Sequence, residues 1–311
     1  MTSKYLIFIA SLFVLASCNY EDDYYIDSDG FTNEDGGYSE EGDDTDNEGN
    51  LGEEASLTAY TINGNEIIKI KDFNVGSNLL SYQQDQAKHF AMFDFFTKLI
   101  PFENRNKIVE FVVFYGNNDL AGYVEPIDES DLSRWRMGLA IEAATDITDI
   151  DFTNFFTYLT LHEFAHVLTL DDSQVNVFQD NCPEYHTGEG CSNANSYINQ
   201  LYELGWEDIA DELQDGEGGD KIYNRYPDRF VSDYAATNPG EDVAEVFATF
   251  IIEGKKNGTS IADQKVNQMF DRPELVSIRD KIINQNPSLQ STGVVTRSWK
   301  EKFKFSCGHK H

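Results

Sequence analysis

The stretch from Phe152 to Leu170 (FTNFFTYLTLHEFAHVLTL) constrains this chain more than any other. It is nearly all apolar and long enough for several helical turns, with Asp151 in position to cap it, so it should run through a core. Within it stand His162, Glu163 and His166. On an α-helix the two histidines lie one turn apart on one face, and Glu163 projects beside them. Burying two imidazoles and a carboxylate in such a helix is costly unless something pairs them, and a metal ion does so directly. Neutral imidazole nitrogens suit one borderline-soft Zn2+ better than magnesium or calcium, which prefer all-oxygen shells. Two nitrogens and one further ligand leave a coordination position for water, and Glu163 is placed to take that water's proton as general base.

The third ligand must come from elsewhere in the chain. Residues 167–176 read VLTLDDSQVN and hold no further histidine. His186 follows in a loop, and His309 and His311 stand in the terminal tail. Acidic residues are better placed. Asn238-Pro239-Gly240-Glu241 joins a capping residue, a proline at the first helical position and a glutamate at the third, just before DVAEVFATFII. A helix is predicted to start there, with Glu241 and Glu245 one turn apart on one face. Either can reach a metal. Glu241 also fits a capping box, bonding back to Asn238, and Glu245, deeper in an apolar run, needs a partner of its own. The carboxylate that does not ligate is the natural acceptor for a histidine ring N–H. Asp242, off that face, reads as dipole compensation at the helix start.

HEFAH followed by DYAATNPGEDVAEVFATF resembles the glutamate-ligated zincins, most closely the zinc-binding metallopeptidase family of Bacteroidetes lipoproteins. The tyrosine-to-helix section is also similar to the catalytic domain of anthrax lethal factor. The likeness covers residues 152–170 and 232–251. It implies a zincin-like metallopeptidase domain in which Glu241 is the third ligand and Glu245 supports the ligands. Tyr234, seven positions before Glu241, would then face the substrate carbonyl. The expected activity is zinc-dependent hydrolysis of peptide bonds in a protein or peptide substrate, as an endopeptidase. The alternative is an inactive zincin-fold lipoprotein that binds or captures nutrients.

The chain opens MTSKYLIFIASLFVLASC, one Lys and then an apolar run too short to span a bilayer and stay there. LASC resembles a bacterial lipoprotein signal, which implies removal of residues 1–17 and lipidation of Cys18. The following NYEDD is similar to the acidic export tag of surface lipoproteins, which implies an outer-membrane anchor and a cell-surface location. From Asn19 to Glu54 there are 15 acidic residues and no Lys or Arg, so residues 18–54 read as an extended tether. The formal net charge of -32 disfavours nucleic acid as a partner and mildly favours basic or neutral substrate segments.

Residues 55–311 read as one α+β domain, a small sheet beside a buried helix and a second, ligand-bearing helix. Helices are predicted over Gln83–Leu99, Ser196–Leu213 and from Asp271 to about Asn284, and strands over Lys107–Tyr115, Trp135–Ile141 and Ser298–Phe305. Residues 174–195 read as loop. Within it Cys182 and Cys191, nine apart, suit a stapling disulfide in an exported protein, or with His186 part of a structural zinc site. Cys307 is left free or replaces one of that pair.

Overall fold

The computed structural model describes residues 54–145, 147–179, 181–214 and 219–290, and the backbone of 306–309. The signal and tether readings, Cys18 included, and the predicted strand Ser298–Phe305 lie outside the described residues. The architecture is α+β. Its larger sheet has six strands, against the small sheet anticipated above.

A hairpin of β1 (Ala55–Asn63) and β2 (Glu66–Asp72) forms one flank. On β2 only Ile67 is buried, and Lys69 and Lys71 line a solvent-facing edge, a composition that discourages pairing with another chain. Then come α1 (Leu80–Gln84) and α2 (Gln86–Leu99). These two helices replace the single one predicted, because the Asp85 side chain accepts from the Lys88 amide and starts a new helix. Next, β3 (Ile108–Tyr115) pairs antiparallel with β1 and parallel with β5 (Asp131–Ala140). The intervening β4 (Leu120–Asp128) crosses to the far side of β5 and runs antiparallel to it. At its outer edge β4 pairs in parallel with β8 (Ser306–His309). The run IVEFVVFY of β3 is apolar almost throughout because it is a central strand, covered on both sides.

The long apolar helix is α3 (Phe155–Leu170). It starts later than predicted. Asp151 accepts from the Thr153 amide and hydroxyl, closing its own turn, and the cap is Asn154, whose side chain accepts from Phe156 N at 2.8 Å. All of α3 but Leu168 is buried, packed against β4, β5 and α2. The segment expected to be loop holds a short pairing of β6 (Val175–Asn176) with β7 (Cys191–Ser192).

Ser196 caps α4 (Tyr197–Gly205). The single helix predicted through Leu213 breaks at Gly205-Trp206 into α4, a 3-10 turn over Glu207–Ile209, and α5 (Ala210–Gln214). The break has a packing cause: a Cβ at Gly205 would collide with the Lys265 side chain, and Trp206 turns inward, fully buried. Beyond α6 (Asp220–Arg225) comes α7 (Pro239–Glu253), which begins where predicted, with the Asn238 side chain accepting from Glu241 N at 2.9 Å. Two more helices, α8 (Ile261–Met269) and α9 (Pro273–Gln285), follow. The core thus places α7 between α3 on one side and α4 with α8 on the other.

Candidate metal centre

Helix α3 presents His162 and His166 one turn apart, with their rings 4.8 Å centroid to centroid. Helix α7 packs across them and brings in Glu241 from 79 residues away. His162 Nε2 lies 3.0 Å from Glu241 Oε2 and 3.1 Å from His166 Nε2, and His166 Nε2 lies 3.6 Å from the same carboxylate oxygen. Four tetrahedral ligands at bond lengths of about 2.0–2.1 Å stand about 3.3 Å from one another. The observed triangle brackets that spacing. These three residues form a buried group that can hold a metal ion.

The second glutamate lies behind His162. Glu245 Oε1 is 3.3 Å from His162 Nδ1, the nitrogen turned away from the triangle, and the Tyr158 hydroxyl is 3.4 Å from the same atom. Ser232 donates its hydroxyl to Glu245 Oε2 and accepts from Ala235 N at 2.9 Å, tying the carboxylate to the loop before α7. The alternative left open above therefore resolves in space: Glu241 faces the triangle and Glu245 the back of the histidine. A carboxylate beside Nδ1 favours the proton there and leaves Nε2 a bare lone pair.

That lone pair then meets the Glu241 carboxylate and a second imidazole, both also donors of electron pairs. Burial pushes the His166 imidazole below its ordinary range, outweighing the pull of Glu241. Burial by itself would raise Glu241, but the facing His166 and His162 imidazoles hold it well below the usual carboxylate range. A carboxylate oxygen and two imidazole nitrogens turned to one point offer three electron pairs that a cation seated among them would draw together.

Glu163 is fully buried on the sheet side of α3. Strand β4 reaches it at Gly122, where an added Cβ would stand 2.6 Å from Glu163 Oε1, 2.8 Å from Cγ and 2.9 Å from Cδ. Only glycine lets the strand backbone come this close. Tyr234 opens the 3-10 turn Tyr234–Ala236, capped by Asp233, and its ring centre is 5.8 Å from that of His162. His162, His166 and Glu241 thus meet at one point, with Glu245 behind His162 and the Tyr234 ring beside it. His162, Glu163 and His166 are 0% exposed and Glu241 and Glu245 2%, so the centre is closed in this conformation.

Asp242 corrects the reading of a helix-start charge. It is fully buried, and its Oδ2 accepts from Trp206 Nε1 at 2.7 Å and from Lys265 Nζ at 2.5 Å. Four contributors to the region went unread in the sequence. Tyr158 carried a signal, standing four residues before His162 on the same helical face, and Gly122 another, as a glycine inside the strand run LAGYV. Ser232 lies in the stretch that carries the family likeness but had no role assigned to it there, and Lys265 carried no signal.

Cys182 and Cys191 are joined as a disulfide, so their sulfurs are not available as thiolate ligands and the structural-zinc alternative falls. His186 is exposed and bridges to Cys191 only through the backbone. Comparison with family models, curated proteins and solved structures finds no match to this chain.

Proposed function

We propose that the chain is a zinc-dependent peptidase of zincin-like fold, related to the glutamate-ligated metallopeptidases it resembles and anchored at the cell envelope through lipidated Cys18. One observation carries the reading: two imidazole nitrogens and a carboxylate oxygen meet at 3.0–3.6 Å in the buried core. His162 and His166 would hold the ion through Nε2 and Glu241 through Oε2, with Glu245 keeping His162 oriented. Nitrogen and oxygen donors in this number suit zinc, whose Lewis acidity polarises a substrate carbonyl and acidifies water.

The remaining steps fall to the chain. Glu163 takes a proton from the attacking water at its carboxylate and returns it to the departing amine nitrogen. The Tyr234 hydroxyl donates to the carbonyl oxygen as that atom gains charge. No serine or cysteine nucleophile takes part. Among the described residues no helix is long and apolar enough to cross a membrane, so attachment rests on the acylated end.

The complete burial of His162, Glu163 and His166 favours a second reading, a zincin-fold protein that holds metal without turnover. Glu163→Gln separates the two. Zinc content by elemental analysis and cleavage of casein and a peptide library are measured together. Retained zinc with abolished cleavage supports the peptidase. A zinc-loaded wild type that cuts nothing across the library supports the binder, and a wild type without zinc refutes both.

A further inference from the structure

A second polar cluster lies one residue beyond the ligand Glu241 and points to a different side of α7, toward α4 and α8. Asp242, Lys265 and Trp206 are all 0% exposed. Asp242 Oδ2 takes both the Lys265 ammonium and the Trp206 indole N–H, and the ammonium lies 4.6 Å from the centre of the Phe230 ring. Burial pushes Lys265 down and Asp242 up, and each carries the other as its main opposing charge. Space for the lysine is made by Gly205, the residue at which α4 stops.

We propose that Lys265 and Trp206 are positioning residues for the metal centre, acting through Asp242 as a rotational lock on α7. The proposal rests on the metal-binding part of the reading above and is independent of turnover. A buried ion pair is a poor source of stability, because apolar residues of like volume often do as well. What the pair provides is direction. An apolar contact between α7, α8 and the end of α4 tolerates a small roll of α7 about its axis, whereas two donors converging on one carboxylate oxygen do not.

The geometry makes a small roll matter. Side chains end about 5–6 Å from a helix axis, so a roll of about 10° carries a carboxylate through about 1 Å. Ligand distances at a metal are set to within about 0.2 Å. Glu241 and Asp242 are successive residues, about 100° apart around α7, so fixing one fixes the other. Asn238 pins the amide of Glu241 but leaves its side chain to follow the helix.

The test uses the full-length protein and zinc itself, with affinity read by competition against a chromogenic chelator and geometry by the visible absorption of the cobalt-substituted form. Lys265→Met removes the cation at similar length. Asp242→Asn combined with Lys265→Met removes both charges, and Trp206→Phe removes only the N–H. Zinc binding is expected to weaken by about 10–100-fold in Lys265→Met and in the double variant, with a smaller loss in Trp206→Phe. The cobalt spectrum should shift alongside. A purely structural role would lower the melting temperature of the metal-free protein and leave zinc affinity and the cobalt spectrum alone. That outcome in the double variant and in Trp206→Phe overturns the proposal, and these two decide it if Lys265→Met does not fold. A wild type that binds zinc but cleaves nothing refutes the peptidase alone, and one that takes no zinc refutes the metal centre and the lock together.

Discussion

Gly122→Ala is the sharpest perturbation of the proposed base, because it adds one methyl group where β4 meets Glu163. The new carbon would stand 2.8 Å from Glu163 Cγ and 2.9 Å from Cδ. Ordinary carbon contacts lie at about 3.5–4.0 Å, so the Glu163 side chain must retreat by about 0.7–1 Å. It has no solvent to retreat into, since Glu163 is 0% exposed. Overpacking of this kind costs about 1–3 kcal/mol of stability. A displacement of about 1 Å in a reacting group costs about 100-fold in rate, or about 2.7 kcal/mol of barrier. The three atoms nearest an added Cβ all belong to Glu163, so zinc content should be kept. The assay is kcat/KM on a cleaved peptide, with zinc by elemental analysis and the melting temperature from the same preparation. Full zinc and a folded protein with wild-type turnover would refute the placement of Glu163 as base against β4.

Two further outcomes follow from the structure. Glu245→Gln removes the carboxylate that lies 3.3 Å from His162 Nδ1, and should weaken zinc binding by about 10–100-fold, measured by chelator competition; unchanged affinity would remove Glu245 from the centre. His89 is fully buried between the Tyr60 hydroxyl, 2.8 Å from Nδ1, and the Tyr82 carbonyl, 2.9 Å from Nε2. Burial holds its pKa below the ordinary value. The unfolded chain therefore takes up a proton that the folded one refuses, and stability falls as pH drops below about 6.5, by at most about 1.4 kcal/mol per pH unit from this group. Denaturant melts between neutral and acid pH should show a shallower loss in His89→Gln, and equal slopes would refute the assignment.

Local features of the fold were legible. The start of α7 followed from Asn238-Pro239, and β3 from its apolar run, because caps and burial periodicity are written over a few residues. The hairpin of β1 and β2 and the strand β4 went unread, although Gly64-Asn65 forms the two-residue turn of the hairpin and is a hairpin signal in its own right. Competition between neighbouring caps moved the start of α3 from Asp151 to Asn154, and tertiary packing at Lys265 cut the helix after Gly205.

For the site itself, the spacing of His162, Glu163 and His166 was determined by the sequence alone, since a helix of fixed pitch puts residues four apart on one face whatever surrounds it. The same rule placed Glu241 and Glu245 together but was blind to which of them turns toward the histidines. That choice belonged to the packing of α3 against α7, which sets one carboxylate against Nε2 and the other against Nδ1 of a single imidazole. Gly122 came to Glu163, and Lys265 to Asp242 on another side of α7, in the same way, because a contact between remote segments depends on how whole elements pack and its partner is not written in any short-range pattern.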